Sequence, residues 1–178
     1  MRLGLPHTPR LESPRFTLLS PAAEGFDVHA AYLAEGAPRF AEGEPDDEAM
    51  WWSMATILGH WQLNGYGHFA VIDRATGENY GLVGPWFPRG WPEPELSFNL
   101  LEGAEGKGIA YEAGQCVLDW LFGTLGWDTC ASMVDEGNTR SIALMERLGA
   151  SPEGTFTHDT AGSFRIWRHS PKPAGKLN

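Results

Sequence analysis

The stretch ELSFNLLEGAEGKGIAYEA, residues 95–113, is the most informative part of this chain. Apolar and polar residues alternate over 95–101, which predicts a β-strand with one apolar face. The turn at 102–108 contains three glycines, and apolar residues then recur at helical spacing from Ile109 to Leu121. The sequence therefore predicts a strand, a glycine-rich turn and a helix in direct succession.

The glycine-rich turn has the chemistry of an anion-binding site. Glycines let a ligand approach the backbone closely, and the first N–H groups of a helix lack helical partners and favour an anion. A diphosphate suits such a site, and Lys107 adds a positive charge. A Walker loop is excluded because Gly108 follows Lys107, and a dinucleotide fingerprint is broken at Tyr111. A turn that only connects the strand to the helix stays an alternative.

Two motifs in order carry a family resemblance. The run 95–113 resembles the acetyl-CoA motif of GNAT acetyltransferases, most of all the RimJ/RimL-like branch, which acetylates ribosomal-protein N-termini among other amines. The run NTRSIALMERLGA at 138–150 is similar to the second motif of that family, N-x-x-S-x-x-x-x-E-x-L-G. The matching residues of the first run are Glu95, Phe98, Leu100, Gly106, Lys107, Gly108, Ala110, Glu112 and Ala113.

The resemblance implies one α/β (α+β) domain with a splayed, mostly antiparallel central sheet flanked by about four helices. It also implies acetyl-CoA as the acetyl donor, with its pantetheine arm on the strand and its diphosphate on the turn. Asn138 and Ser141 would contact pantetheine, although helix capping explains both residues equally well. The implied cofactor-binding residues are Phe98, Asn99, Leu100, Gly103, Ala104, Glu105, Gly106, Lys107, Gly108, Ala110, Asn138 and Ser141.

Three positions depart from the family pattern. Gly103 stands where the family has an arginine or glutamine that contacts phosphate, and Ser97 replaces the usual glycine. Met145 falls where many members carry a tyrosine as general acid, so no residue is an obvious proton donor for the leaving thiolate. Because a thiol has a pKa of about 8.5, solvent or backbone donors can serve in its place.

Glu95 is the candidate general base, because strand alternation directs it away from the apolar face of 95–101. The alternative is a solvated or salt-bridged strand residue. Trp86 and Trp91, in the loop before this strand, either line the acceptor site or pack against the protein. Trp51 and Trp52 are predicted to be core or loop packing. The resemblance implies a primary amine as the acceptor, either a protein N-terminus or a small amine. The alternative function is a non-catalytic acyl-CoA-binding module.

The remaining pattern gives the order of elements. Residues 1–14 read as an arm, 15–169 as the domain and 170–178 as a disordered tail. Within the domain we expect a strand at 15–19, helices at 26–33 and 51–61, a hairpin at 68–83, a loop at 85–94, a strand at 129–134, a helix after Asn138 and a hairpin at 154–168.

Composition narrows the function class. The formal charge of −10 argues against a nucleic-acid partner, and no apolar run is long enough for a membrane span. Cys116 and Cys130 are predicted to be reduced core cysteines. The six histidines show no metal-ligand spacing, so no metal is expected. The chain has no export signal at its start and is expected to be cytoplasmic, as a monomer or homodimer.

Overall fold

The computed structural model describes residues 8–22, 27 and 47–171. Eight strands form one sheet in the order β1-β2-β3-β4-β5-β6-β8-β7. Neighbouring strands are antiparallel except β5 and β6, which are parallel. The strands are β1 Leu11–Glu12, β2 Phe16–Leu19, β3 Phe69–Asp73, β4 Asn79–Trp86, β5 Glu95–Leu100, β6 Cys130–Val134, β7 Ser151–His158 and β8 Gly162–His169.

Three α-helices lie within the described ranges: α1 Asp47–Asn64, α2 Ile109–Gly123 and α3 Thr139–Leu148. A short 3-10 turn, Glu102–Ala104, precedes α2. The mixed α/β architecture with a mostly antiparallel sheet is confirmed. The helix predicted at 26–33, apart from Asp27, lies outside the described residues.

The sheet is covered on both faces. Val83 and Leu96 belong to the larger core cluster, which includes buried residues of α2 and α3 such as Val117 and Met145. On the opposite face, a smaller cluster joins α1 to the sheet through Met54, Ile57, Ala70 and Leu82. Since successive strand residues point to opposite faces, the central strands are buried on both sides.

Strand β4 runs further than the sequence predicted. Its ladder with β5 includes Pro85↔Leu96 and Trp86↔Glu95, so the predicted loop at 85–94 begins two residues too early. A proline in a central strand normally costs a hydrogen bond. Pro85 is tolerated because the last residue pair of β4 with β3 is Phe69↔Val83, and no ladder continues on that side.

The prediction that Trp51 and Trp52 are packing residues is wrong. Their side chains are 57% and 59% exposed, and their rings contact each other edge to face, with centroids 4.9 Å apart. In α1, the buried positions are Met54, Ile57, His60 and Trp61. Helical spacing identified the buried stripe, but burial starts one turn later than the pattern suggested.

Within the predicted arm, Leu11 and Glu12 pair with β2 in register with Leu18 and Thr17. Cys116 and Cys130 are both free thiols, as predicted. Residues 172–178 of the predicted tail lie outside the described residues.

In the described part of the chain, none of the helices has the length and apolar character to cross a membrane.

Candidate active site

The centre of the sheet opens where β5 and β6 meet. These parallel strands share a single residue pair, Glu95↔Ala131, with the backbone N–H of Ala131 donating to Pro94 O at 3.4 Å. One residue further on, a side-chain hydrogen bond stands in place of a backbone one: Ser132 Oγ donates to Leu96 O at 2.7 Å. The backbone of β5 beyond Leu96 is therefore not laddered to β6, which is the splay that the resemblance implied.

Glu95 lies at the start of this gap. It pairs with Trp86 across the β4–β5 ladder, and paired residues share a face of the sheet, so Glu95 lies on the face covered by α1. Its Oε2 accepts the backbone N–H of Met133 at 2.8 Å, and its Oε1 accepts the indole N–H of Trp91 at 2.7 Å. Only 6% of the residue is exposed.

Burial raises the pKa of Glu95 to about 7, against the opposing effect of the two hydrogen bonds from Met133 and Trp91. Burial disfavours the charged carboxylate, whereas donors to the carboxylate favour it. A carboxyl with a pKa near neutrality exists in both protonation states at pH 7. It is suited to proton transfer, and the solvated-residue alternative for Glu95 does not apply.

The two tryptophans predicted at the acceptor site lie on this same side. Trp91 is half-buried and hydrogen-bonded to Glu95. Trp86 is stacked between two imidazoles, with ring centroids 4.5 Å from His60 and 5.0 Å from His68. Both tryptophans therefore pack in the structure and also border the candidate base.

Ser97, the residue that replaces the usual glycine, has a specific partner that the sequence did not reveal. Its Oγ lies 2.6 Å from His68 Nε2. Across the ladder from Ser97 is Gly84, and a Cβ there would collide with the backbone of Gly67 and His68. The missing side chain of Gly84 allows His68 to approach Ser97, two residues beyond Glu95 on the same face.

The glycine loop at 103–108 exposes backbone groups that a ligand can approach. Gly106 and Gly108 have φ of 69° and 73°, a left-handed conformation that other residues adopt at a cost. Gly108 is the N-cap of α2, and no side chain caps the helix there. The first N–H groups of α2 therefore lack both helical and side-chain partners, which is the arrangement that binds anions.

The side chains of this loop have different environments. Ala104 is buried in the core at 4% exposure, and its backbone N–H donates to Leu101 O at 2.9 Å, whereas Gly103 is exposed. Glu105 forms an ion pair with Arg140 at the start of α3. Lys107 Nζ lies 5.5 Å from the centre of the Tyr80 ring. The pair between Glu105 and Arg140 places the N-termini of α2 and α3 side by side.

Glu112, a matching residue of the family motif, has a structural role here. Its Oε1 accepts hydrogen bonds from Ser13 Oγ and the backbone N–H of Arg15, and its Oε2 accepts one from Arg15 Nε, all at 2.7 Å. Arg15 Nη1 also donates to Lys107 O at 3.1 Å. The start of β2 is thereby attached to the glycine loop, a contact that no local pattern indicates.

The predicted strand contacts divide between the faces. Phe98 packs against α2, where a Cβ added to Gly114 would lie 3.0 Å from the Phe98 ring. Asn99 and Leu100 are half-buried opposite Leu82 and Gly81. Ala110 is half-buried in the first turn of α2. Backbone groups of β5 rather than these side chains are the natural contacts for a chain lying in the gap.

The second motif forms the start of α3. Asn138 is the N-cap, and its Oδ1 accepts the backbone N–H of Ser141 at 3.0 Å. The capping interpretation of these two residues is therefore confirmed, and the contact with pantetheine stays a prediction. Met145 is 1% exposed and belongs to the core.

Residues 15–151 match the family model described as an acetyltransferase (GNAT) domain. The chain belongs to the GNAT acetyltransferase family. Membership supports an N-acetyltransferase, as predicted, and GNAT enzymes use acetyl-CoA generally. The gap beside β5 and the uncapped, glycine-lined start of α2 fit that cofactor.

Solved structures give the same fold. An acetyltransferase from Agrobacterium tumefaciens str. C58 is 30% identical, with a TM-score of 0.78 over 92% of this chain and 95% of that one. A GNAT-family acetyltransferase from Bacillus anthracis is 17% identical, with a TM-score of 0.74 over 91% and 98%. A ribosomal-protein-S5-alanine acetyltransferase from Vibrio fischeri is 16% identical, with a TM-score of 0.67 over 92% and 97%. The latter two show likeness of fold alone. No curated protein matched the chain.

Proposed function

We propose that this GNAT enzyme transfers the acetyl group of acetyl-CoA to a primary amine, with Glu95 as the general base. The observation that carries the proposal is a buried carboxyl of pKa about 7 at the opening between β5 and β6. A neutral amine attacks the thioester carbonyl, the C–S bond breaks with CoA leaving as the thiolate, which solvent protonates, and the nitrogen loses one proton. Glu95 accepts that proton, directly or through a water molecule.

The geometry of Glu95 is compatible with this role. Each carboxylate oxygen accepts one hydrogen bond from the protein, and each oxygen has a second lone pair for a further donor. The pKa of about 7 keeps a large fraction of the side chain ionised at neutral pH. An alkyl ammonium has a pKa of about 10 and an α-amino group one of about 8, so both release a proton to solvent before the neutral amine attacks. Glu95 then accepts the second proton, which leaves the nitrogen after the attack.

In this proposal, backbone groups of the protein bind acetyl-CoA, the acetyl donor. The amides of Gly106 and Gly108 and the first turn of α2 bind the diphosphate, and Lys107 of the same loop adds a positive charge. The backbone of β5 pairs with the pantetheine arm in the gap beside Leu96. Asn138 contacts that arm while it caps α3.

The acceptor is a protein N-terminus or a small amine that approaches on the side of Trp86 and Trp91. The net charge of −10 favours the approach of a cation. The ribosomal-protein acetyltransferase among the structural neighbours is the reason to include peptide N-termini among the acceptors tested.

The decisive experiment measures thiol release from acetyl-CoA across a panel of peptide N-termini, polyamines, amino sugars and simple amines. Acetyl-CoA alone should raise the melting temperature by mass action, and NAD and ATP should do so far less. Acceptor-dependent thiol release supports the proposal. Binding of acetyl-CoA without turnover on any amine would instead support the non-catalytic acyl-CoA-binding module.

A further inference from the structure

We propose that Trp91 is a positioning residue for Glu95 and that the β7–β8 hairpin holds Trp91 in place. This inference rests on the proposed function of Glu95. The indole N–H of Trp91 donates to Glu95 Oε1 at 2.7 Å, while the backbone of Met133 holds the other oxygen at 2.8 Å. Two donors, one on each oxygen, fix the plane of the carboxylate and the direction of its remaining lone pairs.

An ionic contact fastens the loop that carries Trp91. Arg168 of β8 binds Glu93 through both terminal nitrogens, with Nη2 at 2.7 Å from Oε1. Its Nε donates to Glu153 of β7 at 2.7 Å. The Arg168 side chain is only 23% exposed, so the contact is better sheltered than a surface ion pair. The ion pair therefore holds the loop that contains Trp91 and Glu93 against the hairpin.

Aromatic packing fixes the ring itself. The Trp91 ring lies 5.1 Å from the His158 ring, 5.7 Å from Phe156 and 6.1 Å from Phe164, measured between centroids. Gly90, with φ of 95°, is so close to the hairpin that an added Cβ would lie 2.9 Å from His158 Nε2. The hairpin therefore determines the direction in which the indole N–H points.

The contact also affects the proton affinity of Glu95. A donor to the charged form lowers the pKa of a carboxyl, whereas burial raises it, and both act on Glu95. Unlike Trp91, several side chains around Glu95 are ionisable. They are Glu93 in the loop, Cys130 in β6, His158 in β7, Arg168 in β8 and His68, which is bonded to Ser97. Replacing the indole by a phenyl ring changes none of these charges.

The test compares Trp91→Phe with wild type by two measurements. Glutamate labelled with ¹³C at the side-chain carboxyl reports the titration of Glu95 directly, with its signal assigned by its absence in Glu95→Gln. The pH profile of kcat/KM reports the base in turnover. Trp91→Phe should move both midpoints upward by about one pH unit. Activity should fall most below pH 7, and it should stay below that of wild type at high pH because one of the two orienting donors is lost. Trp127→Phe, at an indole packed edge-on against Tyr66, should leave both midpoints unchanged.

An unchanged Glu95 midpoint in Trp91→Phe, with only a lower melting temperature, would overturn the proposal and leave Trp91 as packing. If Trp91→Phe does not fold, Arg168→Lys retains the charge but loses the forked contact with Glu93, and the midpoint should again move upward; no shift there would also overturn it. Failure of the proposed function has a separate signature, because Glu95→Gln would then turn over normally whatever the titration in Trp91→Phe shows.

Discussion

The side chain of Glu95 accepts a 2.8 Å hydrogen bond from the backbone N–H of Met133 and so spans the place where β5 and β6 separate. The backbone of Glu95 also belongs to the one residue pair that the two strands share, Glu95↔Ala131. Glu95 therefore both connects the two strands at the opening and is the candidate base. Substitutions of Glu95 are expected to affect stability as well as rate.

Glu95→Gln should lower kcat by at least about 100-fold, because it removes the proton acceptor. The acid limb of kcat/KM, expected near the Glu95 pKa of about 7, should disappear. The amide nitrogen of glutamine must face either the Trp91 or the Met133 donor, which costs about 1–3 kcal/mol of unfolding free energy. Steady-state kinetics and thermal melts measure the two effects separately.

Two controls belong with Glu95→Gln. Acetyl-CoA should raise the melting temperature of the variant as it does that of wild type, and the profile should be repeated with an amine of different pKa. Near-wild-type turnover would show that the enzyme selects the neutral fraction of the amine and that proximity supplies the rate.

Gly108→Ala should weaken acetyl-CoA binding. The φ of 73° at Gly108 makes any Cβ there strained, and the nearest atom beyond the adjacent chain is Arg15 Nη2 at 3.6 Å, so no collision adds to the strain. Gly149→Ala is the matched control, because Gly149 has φ of 81° and nothing within 4 Å of an added Cβ. Both variants should lose similar stability. If both also bind acetyl-CoA equally well by calorimetry, the diphosphate site is not at this loop.

The sequence predicted what short-range patterns determine. Alternation over 95–101 gives β5, and the glycines followed by helical spacing give the loop and α2. Glu95 could be placed on the side of β5 away from Leu96, since alternation alone decides the face. The N-cap role of Asn138 followed from its position before an apolar helical repeat.

Contacts between distant residues were beyond such patterns. The Glu95–Met133 bond joins positions 38 residues apart and the Ser97–His68 contact positions 29 apart. The burial that raises the pKa of Glu95 depends on tertiary packing, so the residue could be identified from the sequence but its proton affinity could not. Trp51 was misjudged for a related reason, because helical spacing does not show where a helix leaves the sheet.

Asn138→Ala should lower stability by about 1 kcal/mol through loss of the cap to Ser141. If Asn138 also contacts pantetheine, KM for acetyl-CoA should rise. Asn138→Ser separates the roles, because serine caps helices well but lacks the carboxamide. A raised KM in both variants, with near-normal melting only in Asn138→Ser, supports ligand contact. An unchanged KM in both would leave Asn138 as a cap.

The carboxylate of Glu112 attaches Ser13 and Arg15 to the first turn of α2. Burial raises the pKa of Glu112, but hydrogen bonds from Arg15 and Ser13 outweigh it, and the net pKa is lowered. A carboxyl whose folded pKa is below its unfolded value stabilises the fold above the unfolded value and loses that effect as pH falls through the folded one.

Glu112→Ala should therefore lose roughly 1–2 kcal/mol of unfolding free energy at pH 7, a modest figure because Arg15 is 47% exposed and solvent screens the pair. The stability gap to wild type should narrow as pH falls below the unfolded value of 4.5. KM for acetyl-CoA should also rise, because Arg15 donates to Lys107 O in the glycine loop and loses its anchor. Denaturant melts at several pH values measure the gap, with Glu146→Ala, at an exposed residue of α3, as the control. A gap of constant size from pH 7 to pH 3 would show that packing of the side chain, and not its ionised hydrogen bonds, holds β2 to the loop.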